Sequence, residues 1–332
     1  MTYIIAEAGV NHNGNIALAE NLIEAAASSG ANAIKFQAWK AENLVTRSAP
    51  LAGYQERNTS GFVSQYEMLK TLELSENDHK YLKKKCDEKK IEYLSSAFDI
   101  EGIEVLNNLG INKLKIPSGE ITNLPFLIAA GKYKWEIILS TGMSNMQEIE
   151  EAIICLESNG KLRDQITILQ CTTQYPAPLK SVNLAAMKTI SEAFNLKIGF
   201  SDHTEGIIAA IAAVAMGAQV IEKHLTLDKN LPGPDHKASI EPDEFKLMIE
   251  NIRTTELLIG NGIKVPNECE VSNKAIARKS IVAKKYIKKG ELLTSDNLCV
   301  KRPGTGISPM QWDNLIGKTA QQNYNIDDLI EN

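Results

Sequence analysis

Two histidines stand where a metal-assisted reaction would need them. His203 lies in Ser201-Asp-His-Thr204 and His224 closes Ile221-Glu-Lys-His224. Each follows or ends a short apolar run, 196–200 and 219–221, and 206–216 between them carries an Ala/Ile/Val helix pattern. A strand–helix–strand unit with parallel neighbouring strands brings two such imidazoles together. Facing imidazoles are a seat for a divalent metal. Asp202, Glu222 and Asp235 add carboxylates nearby. A single histidine at a strand end usually does no more than bond to backbone, but two on adjacent strands beside three acids favour a site.

A second group of residues suits anions. In Ile34-Lys35-Phe36-Gln37 and in Lys113-Leu114-Lys115-Ile116 the apolar residues alternate with polar ones. Strand side chains alternate between faces, so Lys35, Gln37 and Lys115 point away from the helix-packed side. A lysine inside a fold is costly unless an anion meets it, so two of them predict an anionic ligand. Ser96, Ser118, Ser140, Thr173 and Ser201 sit at successive strand ends and offer hydroxyls for phosphate and carboxylate oxygens. One serine there is uninformative, because serines cap helices; five with two lysines imply a ligand with two anionic groups, and phosphoenolpyruvate is a compact one. Glu7 and Glu120 are the acids at the ends of the first and fourth runs. Glu120, beside Ser118, can serve as a general base or can simply satisfy amides at a helix start.

The elements needed to hold these residues repeat along the first 260 positions. Strand-like runs near 3–6, 33–36, 92–95, 113–116, 136–140, 166–170, 196–200 and 219–223 alternate with helical patterns at 16–29, 76–89, 100–109, 124–130, 146–159, 184–194, 206–216 and 243–258. That alternation predicts a (β/α)8 TIM barrel. An open doubly wound sheet is disfavoured, since the first strand–helix turn, Glu7 to Gly14, lacks a Gly-x-Gly-x-x-Gly fingerprint. The stretch 37–72 contains no convincing element and reads as a functional cover over the barrel mouth. The expected domains are a barrel over 1–262, a linker over 263–277 and a small, mostly β module over 278–332.

Composition narrows the function classes. A net charge of −5 leaves no electrostatic footprint for nucleic acid or an anionic membrane. The longest uncharged run, 206–221, is too short to span a bilayer. Five scattered cysteines without a Cys-x-x-Cys pair suit a reducing compartment. With an N-terminus unlike a signal peptide, the expected location is cytoplasmic.

The motifs together resemble the sialic acid synthase family along the whole chain. The resemblance rests on Ala6-Glu-Ala-Gly-Val-Asn-His-Asn-Gly14, Ile34-Lys-Phe-Gln37, Lys115-Ile-Pro-Ser-Gly-Glu120, Ser140-Thr-Gly-Met143, Tyr175-Pro176, Ser201-Asp-His-Thr204, Glu222-Lys-His224, Gly233-Pro-Asp235 and Val300-Lys-Arg-Pro-Gly304. It implies that the C-terminal module is a SAF, or antifreeze-like, domain of β-clip type. It also implies condensation of phosphoenolpyruvate with an N-acetylated mannosamine-type sugar, using Mn2+ or Mg2+. By position, His203 and His224 would hold the metal. Lys35, Ser96, Lys115, Ser118, Ser140, Thr173 and Ser201 would hold phosphoenolpyruvate. Gln37, Tyr175, Asp235 and Arg302 would meet the sugar, with Glu120 and Glu7 as catalytic carboxylates. The same resemblance implies a domain-swapped homodimer in which Arg302 reaches the partner's barrel. The acceptor is N-acetylmannosamine or 2,4-diacetamido-2,4,6-trideoxymannose; the opening Ala6 to Val10 lies nearer the legionaminic branch. The alternatives are another phosphoenolpyruvate- or pyruvate-dependent keto-deoxy sugar acid synthase or aldolase, and a non-catalytic polysaccharide-related binding protein.

Overall fold

The computed structural model describes residues 1–59 and 61–331. Eight parallel strands close into a barrel in sequence order. They are β1 (Tyr3–Glu7), β2 (Ala33–Ala38), β3 (Glu92–Ala97), β4 (Lys113–Ile116), β5 (Glu136–Ser140), β6 (Ile166–Cys171), β7 (Lys197–Asp202) and β8 (Val220–His224). Closure comes from β8 pairing with β1, which sets Glu7 opposite His224. The expected TIM barrel is therefore present, with each strand within two residues of its expected place.

Local signals account for the helices. Ser75 and Asp78 cap each other at the start of Glu76–Lys89, and Lys90 ends that helix in the left-handed region. Asp99 caps Ile100–Asn108 through the Gly102 amide at 2.6 Å and accepts the Lys40 amide at 2.7 Å. One carboxylate thus stops a helix start from fraying and anchors the chain leaving β2. Ile34 and Phe36 are fully buried against the helices, while Ile5, Ala33, Leu94, Ile138, Leu169 and Val220 pack together as a separate apolar cluster. Their position on alternate strand residues places them inside the barrel, below the polar strand ends.

On the outer side, Lys223 and Asp202 form an ion pair with no solvent exposure, at 2.9 Å. Lys223 also donates to the Thr204 carbonyl at 2.6 Å, and Asp202 accepts from the Thr204 amide and hydroxyl, both at 2.8 Å. Asp202, expected beside the metal-site histidines as a nearby acid, instead points away from the barrel axis; its pairing with Lys223 fixes the chain on both sides of His203. Removing one partner strands a buried charge, so Lys223→Met is expected to lower stability by about 3–5 kcal/mol. Denaturant midpoints read this directly, and an unchanged midpoint would refute the role.

The segment expected to lack elements contains three short helices, Ala41–Leu44, Gly53–Asn58 and Gln65–Leu72. They fold over a satellite core of Val10, Trp39, Met68 and Leu72. The first two, at four and six residues, are too short for a periodic apolar stripe to announce them.

Chain contacts divide the molecule into Met1–Gly260 and Asn261–Asn332. The stretch expected as linker contains a helix, Glu268–Ala277, in which no residue is buried. Its start is held by Glu270, which accepts the Asn267 amide at 2.9 Å. The remainder pairs β9 (Ser280–Ala283) antiparallel with β10 (Leu298–Lys301). Its small core includes Ile281, Ile287, Leu298, Leu315 and Tyr324.

Candidate active site

The carboxyl ends of the strands surround a cavity of about 340 Å3. Its lining includes Glu7, Lys35, Gln37, Ser96, Lys115, Ser118, Glu120, Ser140, Thr173, Tyr175, Ser201, His203, His224 and Asp235. The barrel residues expected to hold ligand or metal, or to act as catalytic carboxylates, therefore converge on one space, and Asp202 is the nearby acid that does not. Arg302 lies in the second unit, exposed, with its Nε donating to the Ala277 carbonyl at 3.0 Å.

Charges are shared on the cavity floor. Lys35 Nζ lies 2.8 Å from Glu7 and 3.8 Å from Glu222, and donates to Ser96 Oγ at 2.9 Å. Lys115 Nζ lies 3.7 Å from the other Glu222 oxygen, which also accepts from Ser201 at 3.0 Å. Both lysines thus point inward as their alternation requires, and protein carboxylates meet them. Burial draws the Lys115 ammonium below its ordinary range, Glu222 only partly opposing it. Burial acts the same way on Lys35, but Glu222 and Glu7 more than offset it and leave that group raised. Burial pushes the Glu7 carboxyl up to about 7, with Lys35 pulling it down and Glu222 pushing it up. Two carboxylates compete for the same lysine, and Glu7 holds its charge less firmly.

The hydroxyl array lies at the end of β5 and in the loops after β4 and β6. Ser118 Oγ accepts the Gly142 amide at 2.9 Å. Ser140 Oγ and Thr173 Oγ1 are buried and have no hydrogen-bond partner. Unsatisfied buried hydroxyls cost free energy, so this corner is built for oxygens supplied by a ligand. A Cβ on Gly142 would fall 2.1 Å from Thr173 Oγ1 and 2.9 Å from Ser118 Oγ. Glycine keeps the cradle open.

Across the barrel, the His203 and His224 rings are 5.4 Å apart, centroid to centroid. His203 Nδ1 donates to the Thr172 carbonyl at 2.7 Å, so Nε2 is the ring nitrogen that would offer a lone pair to a metal. His224 Nδ1 is buried without a partner and lies 3.9 Å from Asp235. Burial and then the His203 charge hold His224 well below the ordinary imidazole range, so it stays neutral. Neutral, partnerless imidazole nitrogen is what a metal ligand requires. Among the described residues no group of three or more His, Cys, Asp and Glu side chains has metal-holding geometry. A cation here would complete its shell with water and substrate oxygens, so the pair fits an open site rather than a closed one.

Tyr175 packs against both imidazoles, at 4.2 Å from His203 and 5.6 Å from His224. Tyr54, from the covering segment, rests on Tyr175 at 5.1 Å. Burial pushes Asp235 up to about 6, against the pull of His203 and Lys35. Glu120 accepts from Asn123 Nδ2 at 2.6 Å. Burial raises the Glu120 carboxyl, and the Asn123 bond opposes that shift.

Asn123 and Gly142 had no role expected from the sequence, and Glu222 was expected as an acid near the histidines rather than as the partner of Lys35 and Lys115. Glu222 was legible in part, since it shares a face with His224 two residues on. Asn123 carries the ordinary signal of a helix cap, which it also is, at 3.3 Å from the Phe126 amide. That signal gives no hint of its second bond.

Two family models match the chain, one described as the NeuB family over residues 22–264 and one as the SAF domain over residues 278–331. The chain is 53% identical over 332 residues to N,N'-diacetyllegionaminic acid synthase of Campylobacter jejuni subsp. jejuni serotype O:2, covering 99% of this chain and 98% of the relative. It is 33% identical over 330 residues to N-acetylneuraminate-9-phosphate synthase of Homo sapiens, covering 99% and 91%. A solved structure of N-acetylneuraminic acid synthetase from Leptospira borgpetersenii serovar Hardjo-bovis, in complex with citrate, matches with a TM-score of 0.72 at 33% identity, covering 82% of this chain and 90% of that one.

Proposed function

The chain belongs to the NeuB family, and on that premise we propose that it condenses phosphoenolpyruvate and water with 2,4-diacetamido-2,4,6-trideoxymannose. The products are a nine-carbon α-keto acid sugar of the legionaminic type and inorganic phosphate. The choice of acceptor over N-acetylmannosamine is supported by 53% identity to the legionaminic acid synthase against 33% to the Leptospira N-acetylneuraminic acid synthetase. The observation that carries the reading is the cavity itself, with partnerless hydroxyls and two lysines on one side and two imidazoles on the other.

In this reading Lys35, Ser96, Lys115, Ser118, Ser140, Thr173 and Ser201 hold the phosphate and carboxylate of phosphoenolpyruvate. Gln37, Tyr175 and Asp235 hold the open-chain sugar. A divalent cation, Mn2+ or Mg2+, held by His203 and His224 would supply Lewis acidity at the aldehyde oxygen. Carbon 3 of phosphoenolpyruvate attacks the aldehyde carbon, water adds at carbon 2, and phosphate leaves with its C–O bond broken. Glu120 takes the proton of that water, and Glu7, on the strand beside His224, is the second carboxylate at the reacting centre. The test is phosphate release requiring both substrates, with the product mass read by mass spectrometry. No release with either acceptor would overturn the assignment.

The Glu120 role has its own check. A base must be ionised, and burial raises this carboxyl, so kcat/KM falls on the acid side at a pH above the ordinary carboxylate range. Asn123→Ser keeps a helix cap but removes the amide donor that favours the carboxylate. The acid limb should then move to higher pH. An unmoved limb would remove Glu120 from the base role.

We also propose a cytoplasmic, domain-swapped homodimer, with a barrel over 1–262, a linker over 263–277 and a SAF domain over 278–332, the last running one residue beyond those described. Arg302 of one chain would then complete the sugar site of its partner, where a planar guanidinium suits an N-acetyl carbonyl. His203→Ala and Arg302→Ala, each inactive alone, should regain part of the activity when their subunits exchange. Proven exchange without recovery, or a fully active monomer, would sink the arrangement. No described helix is long and apolar enough to cross a membrane.

A further inference from the structure

The side of the cavity formed by the covering segment is apolar, and neither the anion cradle nor the histidine pair uses it. Val10, Leu44, Val45, Met68, Leu69 and Leu72 all line the space. Met68 and Leu72 are anchored in the satellite core with Trp39, and the half-buried Leu44 and Leu69 pack against it. Two glutamines of the segment also reach the cavity, and the bonds they make stay within the segment. Gln55 accepts from the Ala52 amide at 2.8 Å and from Gln65 at 3.3 Å.

This wall adjoins the sugar end of the site. A Cβ at Gly9, the residue before Val10, would lie 3.3 Å from Gln37 Nε2 and 3.6 Å from Asp235 Oδ2. The segment is docked on the same side through Tyr54 on Tyr175 and through Asn58, which donates to the Pro234 carbonyl at 2.9 Å. The cradle around Gly142 belongs to β5 and the loops after β4 and β6, away from β1, β2 and β8 in the closed barrel order. An acceptor held by Gln37 and Asp235 therefore has an apolar surface next to it.

Resting on the function proposed above, we propose that this wall is the specificity element for the acceptor, selecting sugars with apolar groups at the end remote from the aldehyde. The favoured class carries a methyl at carbon 6. A hydroxymethyl there would lose its water against Leu and Val side chains without a partner. A phosphorylated terminus is excluded more strongly. Apart from the imidazoles, the cationic side chains that the described residues of one chain bring to the cavity are Lys35 and Lys115, both facing Glu222 on the floor, and the Arg302 proposed to come from the partner subunit is engaged by the N-acetyl carbonyl.

The test measures kcat/KM for 2,4-diacetamido-2,4,6-trideoxymannose, N-acetylmannosamine and N-acetylmannosamine 6-phosphate in the full-length protein and in two variants. Val45→Thr is nearly isosteric and Leu69→Gln changes a half-buried side chain, so at least one should fold normally. The unaltered protein should favour the diacetamido sugar over N-acetylmannosamine by about 10–100-fold, the range set by small apolar groups in a hydrophobic pocket. It should leave the phosphorylated sugar unused. In a folded variant that preference should fall several-fold, while KM for phosphoenolpyruvate stays within about twofold. An unaltered protein that uses N-acetylmannosamine or its phosphate equally well would overturn the proposal. So would folded variants with an unchanged preference. Failure of the functional reading looks different, as no phosphate is released with any of the three sugars.

Discussion

His203→Ala is expected to lower turnover by about 1,000-fold while far-ultraviolet circular dichroism stays unchanged. The ring is fixed by its bond to the Thr172 carbonyl, and it stands 5.4 Å from the only other imidazole that the described residues bring to the cavity. With no third protein ligand among the described residues, losing one imidazole removes half of what the protein contributes to a bound cation. Lewis-acid stabilisation is worth several kcal/mol, and about 4 kcal/mol corresponds to that factor in rate. Exhaustive chelation of the unaltered protein should produce a loss of similar size, reversed by Mn2+ or Mg2+. Full activity after chelation would sink the metal assignment even if the alanine variant were inactive.

Gly142→Ala is expected to raise KM for phosphoenolpyruvate by about 100-fold. The added methyl would occupy the space of Thr173 Oγ1 and press on Ser118 Oγ, so both hydroxyls must turn away from a bound anion. Hydrogen bonds to charged groups contribute roughly 1.5–3 kcal/mol each. Losing two weak ones already corresponds to about a hundredfold. The Gly142 backbone lies outside the left-handed region, so alanine there meets a steric obstacle rather than a conformational one. The acceptor preference should not change, because the cradle lies away from the sugar end. A normal KM for phosphoenolpyruvate would place the anion elsewhere in the cavity.

Much of this protein was legible in one dimension. Ile34-Lys35-Phe36-Gln37 states its own geometry, because strand side chains alternate and helices cover the apolar face. The same reasoning turned Lys115 inward and put a histidine at each of two neighbouring strand ends. The strand–helix alternation, repeated through 260 residues, specified the barrel and so brought the polar strand ends to one mouth. All of these are local patterns, and local patterns survive in a sequence without knowledge of partners.

What the tertiary structure decided is how distant residues pair. Glu222 neutralises Lys35 and Lys115 only because barrel closure sets β8 beside β1, bridging most of the domain. Asp202 turned out to be the buried partner of Lys223 rather than a neighbour of the metal-site imidazoles, a pairing set by the register of β7 on β8. The short helices over the cavity form because Val10, from the loop after β1, and Trp39, just after the end of β2, give Met68 and Leu72 a core to cover. Periodicity records which face of an element is apolar. It does not record which charge another element will bring to that face, since the energy of such a pair depends on a few ångströms of three-dimensional separation and on the loss of water around it.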